Sequence, residues 1–323
     1  MSEPIGIILL NLGGPETLDD VEPFLLNLFS DRTIIRLSPF PFLQKFIAGR
    51  IAAKRAPKSR EAYRLIGGGS PLARITGEQG SALQEALAGR GTFVVRMGMR
   101  YWRPGAEAAL EEFARAGIRR IVALTLYPHY SRATTGSSLD DLRRAASASE
   151  HAFECAEIRE WPVQPEYVAC LAESIRNGLA GFQGEPVQLV YSAHSLPVSF
   201  IREGDPYLDQ IKQTIAAVEK MTGIPGELCF QSRSGPVEWL APSTPEMLQT
   251  LAGQGCKNIL MVPISFVSDH VETLYEIDIQ YKEQAKELGM RLDRSASLNT
   301  HPLFIKGLAR LVEDACRQHH FLS

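Results

Sequence analysis

A chain of 323 residues, 45% of them hydrophobic, is long enough for two domains of ordinary size, each with a core of its own. Its 34 Lys and Arg against 37 Asp and Glu leave a formal charge of -3 with the signs interspersed, which excludes the basic footprint of a nucleic-acid-binding protein. Five cysteines, Cys155, Cys170, Cys229, Cys256 and Cys316, are scattered without a CxxC pair, the pattern of reduced thiols buried as small hydrophobes in a cytosolic protein.

The chain opens on MSEPIGIILLNLGGP, which has neither a basic stretch nor a small-residue cleavage site, so no secretory signal is expected. No apolar run approaches the roughly 20 residues of a membrane-spanning helix. Apolar, β-rich runs predict strands at 5–11 (IGIILLN), 93–99 (FVVRMGM), 120–127 (RIVALTLY), 187–194 (VQLVYSAH) and 258–266 (NILMVPISF). Between them, helical patterns, several with Pro, Ser or Thr starts, predict helices at 76–89, 104–116, 137–148, 165–181, 205–222, 243–253, 270–288 and 302–318. Continuously apolar strands alternating with helices mean parallel sheets covered on both faces, an α/β protein. GIRRIVALTLY (117–127) and GCKNILMVPIS (255–265) repeat one pattern, a glycine, a basic residue and a buried strand, which predicts two similar halves. The apolar periodicity thins near 145–165, which places the halves at 1–150 and 151–299, with the last helix, within 300–323, crossing back to the first.

Ligands of open parallel sheets lie beyond the carboxyl ends of the strands, so the residues after each of the five predicted strands are the candidates. Asn11 to Pro15 make a tight glycine turn without the spacing of a dinucleotide fingerprint, and IGGGSP (66–71) lacks the Gly-Lys-Ser/Thr of a phosphate loop. The fourth strand ends at His194, a residue type able to accept a proton near neutral pH or to bind a metal, though a lone histidine is more often structural. The fifth is followed by SDHVETLYEIDIQY, in which His270 and Glu272 stand at the equivalent strand end. On a helix Glu272, Glu276 and Gln280 share one face, with Leu274, Ile277 and Tyr281 opposite and Asp269 as N-cap. A solvated helix face is the plain interpretation of that row. It leaves His270 unexplained, and two glutamates with a histidine are also a weak divalent-cation pattern.

LNLGGPETLDDV, YRLIGGGSPL, GMRYWRP, TLYPHYSRATTGSSL, YSAHSLP, CFQSRSGPVEWLAPST and SDHVETLYEIDI, in this order, resemble the successive signatures of the ferrochelatase family, from about residue 5 to 312. The resemblance implies two similar Rossmann-like domains, each a parallel sheet flanked by helices, with a porphyrin cleft between them. It implies insertion of ferrous iron into protoporphyrin IX to form protohaem, with release of two protons. By motif, His194 and Glu272 match the family's catalytic histidine and carboxylate and would handle the metal ion, with His270 and Glu276 on the same helix, which in the family carries a π-type turn. Arg55, Tyr63, Ser70 and Ser232 match propionate-binding positions. Leu12, Arg100, Tyr101, Trp239 and Phe266 match the macrocycle pocket. Leu12 stands at a position that varies between protoporphyrin and coproporphyrin users, in a context like the former.

Residues 34–51, within a lip at about 34–60, gather aromatics and aliphatics around two prolines beside Lys45, Arg50, Lys54 and Arg55. Too short to span a bilayer, this segment suits peripheral contact with the inner face of a membrane by an otherwise cytoplasmic protein. Arg132 occupies a position where cluster-bearing members place a cysteine, and the C-terminal region offers only Cys316, so no iron–sulfur cluster and no tightly bound cofactor are expected. Gln280 stands where other members are acidic, which shortens any carboxylate relay. A monomer or a homodimer is expected. The competing interpretations are a coproporphyrin-, cobalt- or nickel-using chelatase, a tetrapyrrole- or metal-binding protein without activity, and a nicotinamide oxidoreductase, the last disfavoured by the missing GxGxxG.

Overall fold

Eight parallel strands, three more than the apolar runs announce, frame the computed structural model, which describes residues 3–322. Met1, Ser2 and Ser323, the ends of the expected ranges, lie outside the described residues. The chain forms two compact units. One runs to Glu160 and takes up Ile305 onwards, and the other is Trp161–Phe304.

The first unit contains β1 (Ile5–Asn11), α1 (Val21–Ser30), α2 (Pro41–Leu65), α3 (Leu72–Ala86), β2 (Phe93–Met99), α4 (Ala106–Arg115), β3 (Arg120–Thr125), a π-helical turn (Arg132–Gly136), α5 (Ser137–Ala148) and β4 (Glu154–Ile158). Its sheet has the order β2-β1-β3-β4. The second contains α6 (Pro165–Ala180), β5 (Gln188–His194), α7 (Val198–Arg202), α8 (Tyr207–Thr222), β6 (Gly226–Gln231), α9 (Thr244–Gly253), β7 (Asn258–Pro263), a π-helical segment (Glu272–Tyr281), α10 (Lys282–Glu287) and β8 (Arg291–Arg294). Its sheet has the order β6-β5-β7-β8, the same path repeated. The last helix, α11 (Pro302–Gln318), carries the chain from the second unit into the first, where Ile305, Leu308, Ala309, Val312 and Cys316 are buried.

The sequence echo falls on equivalent strands. Gly117 and Gly255 both take positive φ, 72° and 80°, after α4 and α9, and Ile118 N–H and Cys256 N–H reach back to the carbonyls of Phe113 and Leu251. This left-handed helix stop leads straight into β3 and β7. The three unannounced strands, β4 (ECAEI), β6 (GELCFQ) and β8 (RLDR), are all edge strands. Half-exposed edges carry charges and so do not read as apolar runs.

The sequence also hid α1 and α2. Residues 34–51 are not one irregular lip, because a single helix begins at Pro41 and runs 25 residues. Its buried face is Gln44, Ala48, Ala52 and Ala56, one residue every four. A stripe of alanines gives little apolar periodicity, while Phe40, Phe42 and Phe46 stay 57%, 77% and 65% exposed. Gln44 ties the preceding strand of chain to the helix: its Nε2 donates to the carbonyls of Phe29 and Ile35, and its Oε1 accepts from Leu37 N–H.

In the second unit Val190, Ile259 and Met261 of the sheet pack with Leu248 of α9 and with Ile277 and Tyr281 of the π-helical segment. This core fixes one face of that segment. α9 starts where expected, with a complete capping box between Ser243 and Glu246.

Candidate active site

His194 is the last residue of β5. Its backbone is held from both sides, since its N–H donates to Ser265 Oγ (3.1 Å) and its carbonyl accepts from Tyr207 Oη (2.9 Å). The imidazole Nδ1 lies 2.7 Å from Glu272 Oε2. Over a third of the side chain remains exposed (37%), whereas Glu272 keeps only 15%. Burial works against a charged imidazole, yet the Glu272 carboxylate and its hydrogen bond outweigh it and hold the His194 pKa above its ordinary value.

Glu272 and Glu276 project from the π-helical segment, whose i→i+5 bonding is seen in Lys282 N–H donating to the Ile277 carbonyl. A wider turn changes which residues face the core. Thr273, Ile277 and Tyr281 are buried, four apart, and not the expected Leu274, Ile277 and Tyr281 of an α-helix. Gln280 is half-buried one row away. Ser232 sits between the two carboxylates, its Oγ 2.9 Å from Glu272 Oε2 and 2.6 Å from Glu276 Oε2. It reaches them from a left-handed backbone, φ 65°, a conformation non-glycine residues adopt at a cost and mostly at functional sites. Next to it, Gln231 Nε2 donates to Glu276 Oε2 (3.1 Å) and to the Glu272 carbonyl (3.0 Å), while its Oε1 accepts from Ser192 Oγ (2.6 Å). The Ser192 bond fixes the amide so that its NH2 faces the glutamates.

The two carboxyls are driven apart electrostatically. Burial, then the neighbouring Glu272 charge, pushes Glu276 up to about 7. Glu272 is held down at about 2, because the charge of His194 and the hydrogen bonds of His194 and Ser232 overcome its burial. At neutral pH the cluster therefore keeps one ionised carboxylate against His194 and one carboxyl close to its titration midpoint.

His270 donates Nδ1–H to the Ser268 carbonyl (3.0 Å) and turns Nε2 toward Glu272 Oε1 at 3.9 Å. Burial lowers its pKa, so it stays neutral. Phe266 packs against His270 at 4.5 Å between ring centroids and presents an edge to His194 at 6.5 Å. Trp239 bridges by its backbone to Pro197, and its buried indole N–H has no acceptor among the described residues. Asp269 does not act as the expected N-cap. Its carboxylate takes the Thr273 hydroxyl (3.1 Å), Ser297 Oγ (2.7 Å), Asn299 Nδ2 (2.9 Å) and Arg294 Nη1 (3.1 Å), because a buried acid beside a guanidinium is better satisfied there than by a helix end.

The first unit gathers other expected residues. Leu12 follows β1, and Tyr101 N–H donates to its carbonyl (3.0 Å). Arg100 and Tyr101 both converge on Asp31 Oδ2, at 2.6 and 2.7 Å, joined by Ser137 Oγ at 2.7 Å. Burial would raise the Asp31 pKa, but these hydroxyls, the Thr33 N–H and the Arg100 charge leave it lowered. The group lines a cavity of about 620 Å³ together with Lys45 and Arg144. Neither Asp31 nor Ser137 stood out in the sequence, although both lie in quoted stretches or beside them.

Arg55 lies over the Phe29 ring, 5.3 Å from its centroid, and Tyr63 is buried two turns further along α2. Ser70 N–H donates to the Pro15 carbonyl (2.7 Å). The two glycine clusters are a packing device: a Cβ on Gly14 would meet Ser70 Oγ at 2.6 Å, and one on Gly69 the Glu16 carbonyl oxygen at 2.0 Å. Ser232, expected on a propionate, is engaged instead with the two glutamates. Among the described residues no three His, Cys, Asp or Glu side chains are grouped so as to hold a metal ion, and the His194 and Glu272 pair contact each other directly.

Two four-stranded parallel sheets of identical order, with a histidine–carboxylate pair at the end of one central strand, make this a two-unit α/β protein of the chelatase class. Solved structures agree on the fold: SirB from Bacillus subtilis with Fe3+ superposes at a TM-score of 0.58 over 99% of both chains at 12% identity. The sirohydrochlorin chelatase SirB in complex with cobalt, from Bacillus subtilis subspecies spizizenii, gives 0.56 over 99% of this chain and 97% of its own at 11% identity. Sequence brings the relation much nearer. The ferrochelatase family model matches residues 4–316. Proteins named ferrochelatase are 58% identical in Desulfotalea psychrophila (96% of each chain) and 54% identical in Geotalea uraniireducens (97% of this chain, 98% of the relative). The chain belongs to the ferrochelatase family and is an enzyme, a lyase of haem biosynthesis.

Proposed function

We propose that the chain inserts ferrous iron into protoporphyrin IX, with His194 as the proton acceptor and Glu272 and Glu276 as its relay. The observation that carries this reading is the continuous contact His194–Glu272–Ser232–Glu276. Insertion forms bonds from the macrocycle nitrogens to a dication while two pyrrole N–H protons leave, so charge balances without electron transfer. The porphyrin supplies the nitrogen ligands. The protein has to deliver the ion, hold the ring and take the protons away.

His194 suits the last of these tasks. Its Nδ1 is directed at Glu272, leaving Nε2 for the macrocycle, and an ionised Glu272 stabilises the imidazolium that forms. Glu276, titrating near 7, can accept a proton and release it to solvent at neutral pH. Neutral His270 offers an Nε2 lone pair beside Glu272, suited with it and His194 to escorting the iron. Phe266 and the Trp239 indole give an apolar wall with one unsatisfied donor, the mixture a flat macrocycle with polar edges requires. In the first unit, Leu12, Arg100 and Tyr101 are proposed as macrocycle contacts, and Arg55, Tyr63 and Ser70 as propionate ligands, each a cation or hydroxyl of the right type. Ser232 serves the relay.

Iron is a substrate in this reading, and neither a resident cofactor nor an iron–sulfur cluster is proposed, with acid-labile sulfide analysis as the check. The proposed His194 network is complete within one chain, in keeping with a monomer or a homodimer. No helix among the described residues is long and apolar enough to cross a membrane. The exposed Phe40, Phe42 and Phe46 beside Lys45 and Arg50 are proposed to touch the inner face of a membrane from the cytoplasm.

Anaerobic incubation with protoporphyrin or coproporphyrin and ferrous, cobalt or zinc ions, followed by metalloporphyrin absorbance, tests the assignment. Ferrous iron with protoporphyrin is expected to react fastest, and His194→Ala to lose 100-fold or more in kcat, about the worth of a general base. Preference for coproporphyrin or cobalt would transfer the reading to those substrates. A near-normal rate in His194→Ala removes the base assignment.

A further inference from the structure

We propose that Arg294, at the end of β8, is a positioning residue for the Glu272–Glu276 pair, strapping the π-helical segment from a point opposite Ser232. The inference deepens the proposed function and rests on it.

The guanidinium holds chain on both sides of the two glutamates. Its Nε and Nη2 bind the Asp278 carboxylate as a fork, at 2.9 and 2.8 Å. Its Nη1 reaches Asp269 Oδ1 at 3.1 Å and donates to Ser297 Oγ at 2.9 Å. Asp269 precedes Glu272 by three residues and passes the restraint to the first turn through the Thr273 hydroxyl (3.1 Å). Asp278 follows Glu276 by two. The Arg294 side chain is only 11% exposed and Asp269 20%, while Asp278 keeps 36%, so the guanidinium is a buried node that reaches one acid inside and one at the surface.

The strap answers a mechanical need. The segment touches the core through one narrow row, Thr273, Ile277 and Tyr281. A single row sets its depth but not its rotation about its own axis. Ser232 and Gln231 grip the flank that carries Glu272 and Glu276, and Arg294 grips the flank that carries Asp278. With both in place the carboxylates cannot roll away from His194. Only arginine fits: a lysine ammonium has the charge but no planar fork, and cannot span two acids on separate turns. The charge and the geometry are therefore separable by mutation.

Arg294→Lys, Arg294→Met and Asp278→Asn would be assayed for ferrous insertion, with KM for iron and porphyrin measured separately and Ile211→Ala of α8 as a buried control matched in thermal midpoint. Arg294→Lys is expected to lower kcat by about 10- to 100-fold, the scale of an ångström's misplacement, with porphyrin KM changed less than twofold. Asp278→Asn, which leaves Arg294 on Asp269, should lose several-fold. Wild-type kcat in Arg294→Lys, or a loss no greater than that of Ile211→Ala, overturns the proposal. If neither Arg294 variant folds, Asp278→Asn decides, and full kcat there overturns it. An inactive wild-type protein would instead refute the proposed function itself.

Discussion

Glu272 and Glu276 share one hydroxyl donor, Ser232, and burial of Glu276 beside the Glu272 charge gives the site a pH signature. The native state holds Glu276 at about 7, against 4.5 for the ordinary side chain. Between those values the folded protein keeps a proton that the unfolded chain releases, so this group's contribution to stability is full below about pH 4.5 and is lost as pH rises through 7. Glu272 is shifted the other way and acts only below pH 4.5, outside the window. Glu276→Gln is expected to remove this share of the decline, gaining up to about 3 kcal/mol over the wild type at pH 8 relative to pH 4.5, and to leave the share of His194, whose raised pKa also loses stability as pH rises. Thermal midpoints of the two proteins at these pH values check it. Parallel curves would show that Glu276 ionises normally. At this scale His194, His270, Glu272 and Glu276 were legible because strand ends advertise them. Ser192, Gln231, Asp278 and Arg294 were not, because their partners lie elsewhere in the chain and ordinary polar residues carry no signal until packed.

Elements show the same division. The glycine turns after β1 and α2 lack the spacing of a phosphate loop in sequence, and in the fold they interlock, Gly14 against the Ser70 side chain and Gly69 against the Glu16 backbone. Gly69→Ala places a Cβ against backbone rather than against a movable side chain. It is expected to destabilise the protein by about 2–3 kcal/mol, read as a lowered thermal midpoint. An unchanged midpoint would mean that the turn after α2 shifts freely. Central strands β1, β3, β5 and β7 were legible as apolar runs because both faces are covered. The edge strands β4, β6 and β8 and the alanine-faced α2 were not, since those strands carry charge and alanine hardly registers in an apolar pattern, whereas β2, the remaining edge strand, was announced by FVVRMGM. The π-helical form of 272–281 also escaped periodicity, which expects a helix core row of the α type; only the resemblance suggested it.

Taken whole, the molecule carries a formal charge of -3, which opposes approach to an anionic surface. The proposed membrane contact must therefore depend on a local patch, and Lys45, Arg50, Lys54, Arg55 and Lys58 are all exposed along α2 beside the aromatic side chains. Co-sedimentation with anionic vesicles is expected to fall as salt rises past about 0.15 M. Phe42→Ser, which removes a side chain 77% exposed, should weaken partitioning by about 2 kcal/mol, near 30-fold. Salt-independent sedimentation, or none by the wild type, would refute the contact. The sequence by itself determined the α/β class, the division into two similar halves and the residue types at the central strand ends, because continuous burial and chain punctuation are local properties. Only the tertiary structure decided that Ser232 serves the glutamates, that Asp31 gathers Arg100 and Tyr101, and that Arg294 grips both Asp269 and Asp278. Hydrogen-bond partners and pKa shifts depend on distances between residues far apart in the chain, and those distances exist only once it has folded.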